Sequence, residues 1–137
     1  MPDWKNEIRI AAPIQKVWDT LVDYPHASEW QPGVKRATIE TTRSFGSGTR
    51  IKVEFATQTT YMTVLESIPP RRLKLNLDRS GTTGESTFVL SKDDTGTIVE
   101  HSLTLELSLV DRVFTLLIGP SLKKDLAALK TRVEKAE

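Results

Sequence analysis

The chain has 137 residues, 38% of them hydrophobic and 27% charged, with 19 basic against 18 acidic residues and a formal net charge of +1. That length suits one domain over residues 1–137 with its own core, and the charge balance argues against nucleic-acid binding through bulk charge. Cysteine is absent, which excludes disulfides, thiolate catalysis and cysteine-ligated metals.

The opening MPDWKNEIRI places acidic and basic residues where a signal peptide has its apolar core. No apolar run approaches the roughly 18 residues that span a bilayer. The expectation is a cytoplasmic protein without integral membrane association. Trp4 to Ala11 reads as a first strand, Ile8 and Ile10 alternating with Glu7 and Arg9. At Ala12-Pro13 the period changes: Ile14, Val17, Trp18 and Leu21 recur at helical spacing, up to about Asp23. YPHASEWQPGV follows as a turn-rich segment with a second short helix around Ala27 to Trp30, closed by Pro32-Gly33.

Six strands come next. Val34 to Thr41 is the first; Thr49 to Phe55 alternates Ile51, Val53 and Phe55 with Arg50, Lys52 and Glu54. A tight turn near Thr57-Gln58 leads to Thr60 to Ile68. A two-residue loop there sets Met62 and Val64 on the face of Val53 and Phe55; a three-residue loop sets Tyr61 and Thr63 there instead, and the first is preferred. After Pro69-Pro70, Leu73, Leu75 and Leu77 alternate with Lys74, Asn76 and Asp78. Beyond the turn Gly81 to Gly84, Glu85 to Lys92 shows Ser86, Phe88 and Leu90 on one face. Asp93 to Gly96 is read as a four-residue hairpin loop, which sets Lys92 opposite Thr97, Leu90 opposite Val99 and Phe88 opposite His101. The last strand, Thr97 to Leu109, turns Val99, His101, Leu103, Leu105 and Leu107 one way.

From Asp111, a candidate N-cap, to Glu137 the sequence predicts a long helix of roughly 35–40 Å. Its apolar stripe is Leu122, Leu126, Leu129 and Val133. Pro120, after Gly119, lacks an N–H and crowds the carbonyl of Leu116, so a kink is expected. Strand, two short helices, six antiparallel strands and a long helix form an α+β arrangement in which one apolar sheet face curls around the helix.

That order resembles the helix-grip fold of the START-like (SRPBCC) superfamily, the polyketide cyclase/dehydrase and lipid-transport type. The phrases carrying the resemblance are IRIAAPIQKVWDTLVDYPHASEWQPGV, FGSGTRIKVEF, LESIPPRRLKLNL and LKTRVEKAE. The resemblance implies a seven-stranded curved sheet around the C-terminal helix, enclosing a mostly apolar cavity for a hydrophobic small molecule. It implies no universal catalytic residue, so no active site is carried over.

His101 is the polar exception on the inward face of the last strand. It could meet a ligand oxygen or move a proton, or it could be a buried imidazole satisfied by a neighbouring hydroxyl. Phe88, Phe55, Met62, Leu75 and Leu103 share the inward face and join it as candidate ligand contacts. Trp30 and Tyr24 flank the mouth, where their rings could stack on a flat ligand, or Trp30 corks the open end; Phe114, Leu117 and Ser121 bracket the expected kink. Trp18 belongs to the core by its spacing. Arg79 could share the inward face with Ser86 and anchor a ligand carboxylate by a bidentate contact, but it adjoins the Ser80-Gly81 turn and solvent exposure is the preferred reading. Neither His26 nor His101 belongs to a zinc motif, and there is no phosphate loop, dinucleotide fingerprint or nucleophile elbow.

The expected function is therefore binding or carrying of a small hydrophobic ligand between sheet and helix, by a monomer or homodimer without cofactor or metal. Two alternatives stand beside it. One is a cyclase or dehydratase-type lyase or isomerase using the same cavity; the other is a protein-interaction module with no ligand.

Overall fold

Alternating strand sequences joined by short turns leave little choice of partner, and the chain pairs accordingly. The computed structural model describes residues 3–41, 44–79, 82–106 and 115–135, with side chains in the last segment from Gly119 onward. Its elements are β1 (Asp3–Ile10), α1 (Ile14–Val22), a 3₁₀ turn (Tyr24–Glu29), β2 (Val34–Ile39), β3 (Arg50–Phe55), β4 (Thr59–Ile68), β5 (Arg72–Arg79), β6 (Thr82–Asp93), β7 (Gly96–Glu106) and α2 (Thr115–Lys135). The strands form one curved antiparallel sheet in the order β1-β7-β6-β5-β4-β3-β2. Each strand from β2 to β7 pairs with its chain neighbour, while α1 and the 3₁₀ turn carry the chain from one sheet edge to the other.

The registers place the side chains. Lys92 faces Thr97, Leu90 faces Val99 and Phe88 faces His101, as the alternation predicts. The loop is shorter than expected, because Asp93 pairs with Gly96 and only Asp94 and Thr95 turn; Asp93 Oδ1 accepts the Thr95 N–H at 2.9 Å. At the β3–β4 hairpin the Phe55 N–H donates to the Gln58 carbonyl at 2.8 Å. Ile51 lies opposite Met62 and Val53 opposite Thr60, so Met62 and Val64 share the inward face with Val53. β6 begins at Thr82, inside the stretch read as a turn, and places Gly84 opposite Leu105. The second short helix is a 3₁₀ turn that starts at Tyr24, three residues earlier than expected.

The core lies between the concave sheet face, α1 and the C-terminal half of α2. Ile10, Val17, Ile51, Leu73, Leu90, Val99 and Val133 are sealed within it, joined by Trp18, Leu126 and Leu129. Each such side chain contributes about 1.5–3 kcal/mol by leaving water. Polar clasps fix the helix on both flanks. Glu134 accepts the Ala11 N–H at 2.7 Å and Lys130 Nζ at 2.8 Å, while Lys130 also donates to the Arg9 carbonyl at 2.8 Å. Arg132 donates to Glu29 at 2.8 Å, tying the helix to the 3₁₀ turn. Pro120 lies inside α2, and the helical backbone continues on both sides of it. Asp111 and the first residues of the expected helix lie outside the described residues. No helix among the described residues is long and apolar enough to cross a membrane.

Candidate ligand-binding site

The concave face divides into a sealed part and an open part. Toward α1 and the C-terminal half of α2, Leu73, Leu75, Leu90 and Val99 are at most 2% exposed. Elsewhere Phe55, Met62, Leu77 and Phe88 remain half-buried against this core. Register puts them on the inward side: Met62 faces Leu77, and Phe88 lies between Leu73 and His101. Half-buried apolar side chains on a concave face are the kind of surface that lines small-molecule sites.

His101 and Ser86 form the polar point of that wall. His101 is 6% exposed and Ser86 5%, and Ser86 Oγ lies 2.6 Å from His101 Nε2. The imidazole stacks on Phe88 with ring centroids 4.2 Å apart and planes 12° from parallel. Burial pushes the His101 pKa down to about 4, so the ring is neutral near pH 7. The imidazole thus has the hydroxyl partner that the packing reading calls for, and it lies on the inward face of β7. Asn6, opposite His101 on β1, is a half-buried amide on the same face that the alternation of Ile8 and Ile10 could have flagged.

Arg79 departs from expectation. The sequence places it in solvent, but it continues the inward row Leu73, Leu75 and Leu77 to the end of β5 and is half-buried. Its Nε–H donates to Thr60 Oγ1 at 2.7 Å, and its guanidinium carbon lies 4.8 Å from the centroid of the Phe55 ring. Strand phase outweighs arginine's general surface preference here, because Thr60 and Phe55 offer a hydroxyl and a π face.

The remaining candidates are distributed as follows. Leu75 and Leu103 are buried in the wall at 1% and 6% exposure. Trp30 is half-buried after the 3₁₀ turn, and its indole Nε1 is buried without a hydrogen-bond partner among the described residues. It borders an open cleft of about 530 Å³ between that turn and α2. Tyr24, its neighbour at the expected mouth, is a core residue stacked on Phe45, with centroids 6.2 Å apart. Ser121 is exposed; one residue from Leu122, it is turned roughly 100° away from the apolar stripe. Leu117 lies within α2, its side chain outside the described residues, as is Phe114 altogether. Asp125, on the flank of α2, is half-buried, and desolvation pushes its carboxyl pKa up to about 7. A larger open groove of about 990 Å³ follows the β3–β4 hairpin, bordered by the Arg36–Glu54 ion pair, Tyr61 and Asp78. Neither cleft is bordered by His101. Among the described residues no cluster of His, Asp and Glu is arranged to hold a metal.

A seven-stranded antiparallel sheet gripping a C-terminal helix, with an apolar concave wall between them, is the helix-grip fold of the START-like superfamily. The chain belongs to the polyketide cyclase/dehydrase and lipid transport family, whose model matches residues 1–134. Solved structures share the fold. A START superfamily protein from Mycobacterium smegmatis superposes with a TM-score of 0.82 at 16% identity, over 98% of this chain and 99% of that one. The protein TTHA0849 from Thermus thermophilus gives 0.83 at 20% identity, over 99% of both chains. The di-domain ARO/CYC StfQ of the steffimycin biosynthetic pathway gives 0.79 at 13% identity, over 97% of this chain and 50% of that protein. No curated protein matches the sequence. The family supports a ligand-binding or cyclase-type role.

Proposed function

We propose that this protein acts as a single domain that binds and carries a small, largely apolar molecule in the hollow between sheet and α2. The observation that carries this reading is the row of half-buried Phe55, Met62, Leu77 and Phe88 on a concave face whose neighbouring residues are sealed. A ligand covering that wall would leave water at about 25 cal/mol per Å², so roughly 300 Å² contributes about 7–8 kcal/mol before association losses. His101 with Ser86 is the polar contact, Leu103 adjoins it on β7, and Leu75 backs the floor from the sealed core. Trp30 borders the entrance, where its half-buried ring offers an apolar face to the ligand.

The cyclase or dehydratase alternative uses the same hollow. Against it, His101 is a weak base whose Nε2 is already engaged by Ser86. A neutral imidazole of that kind suits hydrogen bonding to a ligand better than proton abstraction. Native mass spectrometry of the purified protein is the direct test. A non-covalent adduct of small-molecule mass that disappears on denaturation, and is lost from a Leu77→Trp variant that fills the wall, is the expected result. A bare protein mass, with no binding of apolar fluorescent probes, would sink the carrier reading.

A further inference from the structure

Among the described strand residues, Arg79 is the one half-buried charged side chain on the concave face. Lys92, the other charged residue in inward phase, stands exposed opposite Thr97 at the far end of β6, and the remaining inward positions are apolar or neutral. No carboxylate among the described residues pairs with Arg79. A guanidinium drawn out of water normally recovers its hydration through an anionic partner. Here it has a hydroxyl on Nε and an aromatic face beneath it. These two contacts orient the planar group and leave its terminal N–H donors without an acceptor among the described residues.

Position adds to this. Along β5 at roughly 3.3 Å per residue, Arg79 lies about 13 Å beyond the level of Leu75 and its partner Ser86. Leu77 and Met62 line the interval. The wall therefore has a neutral hydrogen-bonding point at Ser86–His101, an apolar middle and a cationic far end.

We propose that Arg79 is the anchor for a carboxylate, and that the ligand is an amphiphilic carboxylic acid lying along the wall with its charged group at this end. The proposal rests on the carrier reading above and adds the ligand's chemical class. One guanidinium edge matches one carboxylate by a bidentate contact. No second inward cation stands at this end among the described strand residues to meet the greater charge of a phosphate.

The test compares two matched pairs of probes, dodecanoate with dodecanol and pyrenebutyrate with pyrenebutanol, binding to the wild-type protein and Arg79→Gln near neutral pH. Wild type should favour each acid over its alcohol by about 10- to 100-fold, the range expected of a hydrogen bond to a charged group. Arg79→Gln should lose that preference while binding the alcohols as before, so that alcohol binding doubles as the check of folding. If the variant binds neither, Arg79→Lys decides: retained acid preference supports the anchor, and alcohol binding without that preference overturns it. Equal wild-type binding of acid and alcohol would also overturn the anchor while leaving the carrier reading intact. Failure of all four probes would remove both.

Discussion

A histidine whose ring nitrogen is 2.6 Å from a serine hydroxyl, inside an otherwise apolar wall, is a pair whose members depend on each other. Ser86→Ala leaves His101 Nε2 without its partner and should cost about 1–3 kcal/mol, read from urea unfolding. Adding His101→Phe removes the stranded nitrogen while keeping a ring to stack on Phe88, so the double variant should recover most of that loss. If packing is the pair's whole role, the double variant binds apolar ligands as wild type does; if the pair meets the ligand, stability returns and affinity does not. An additive double variant would mean that the two side chains are not coupled. His101 was legible because one polar residue broke a clean apolar alternation. Its bond to Ser86 was not, because that contact is diagonal across the β6–β7 ladder and depends on rotamers and sheet twist.

At the scale of elements, β6 and β7 meet at a glycine that leaves no room for a side chain. A Cβ on Gly84 would lie 2.4 Å from the Thr104 carbonyl oxygen and 2.6 Å from Leu105 Cδ2. A carbonyl oxygen held in a ladder has little freedom to move aside. Gly84→Ala should therefore destabilise the protein by roughly 1–3 kcal/mol through overpacking, with a correspondingly lower urea midpoint. An unchanged midpoint would show that the ladder relaxes freely. The sequence presents this residue as the end of a turn, since a glycine next to Gly81 and two threonines looks like loop. Strand pairing carries β6 through it, for the reason that marks many strand glycines: another backbone comes too close for a side chain. The β2–β7 order and the β6–β7 register were legible because alternation and hairpin turns are local signals. The 3₁₀ turn and the inward Arg79 sit where strand phase and packing override residue preference.

Two groups oppose each other in the stability of the whole molecule. His101 is held from an ordinary 6.5 down to about 4 by burial. Unfolding below pH 6.5 therefore takes up a proton, and this part of the stability, roughly 3 kcal/mol when complete, is lost as pH falls through that window. Asp125 is pushed from 3.8 up to about 7 by desolvation. Unfolding in that range releases a proton, so its contribution is present at low pH and lost as pH rises; its partial exposure to solvent makes it the smaller of the two. The windows overlap, and the wild-type melting temperature should change only modestly between about pH 4 and 6.5. Asp125→Asn should make stability climb more steeply with pH across that range, and His101→Phe should make it decline. Two variant profiles parallel to the wild type would refute the opposition. The sequence by itself determined the order of elements, the apolar face of each strand and the stripe of the terminal helix, because these follow from periods of two and about 3.6 residues written along the chain. Only the tertiary structure decided which part of the concave wall is sealed and which polar groups meet on it. Ser86 reaches His101 across a hairpin, and Arg79 reaches Thr60 and Phe55 across three strands. Such contacts join residues far apart in the chain, and the curvature that sets them belongs to the sheet as a whole.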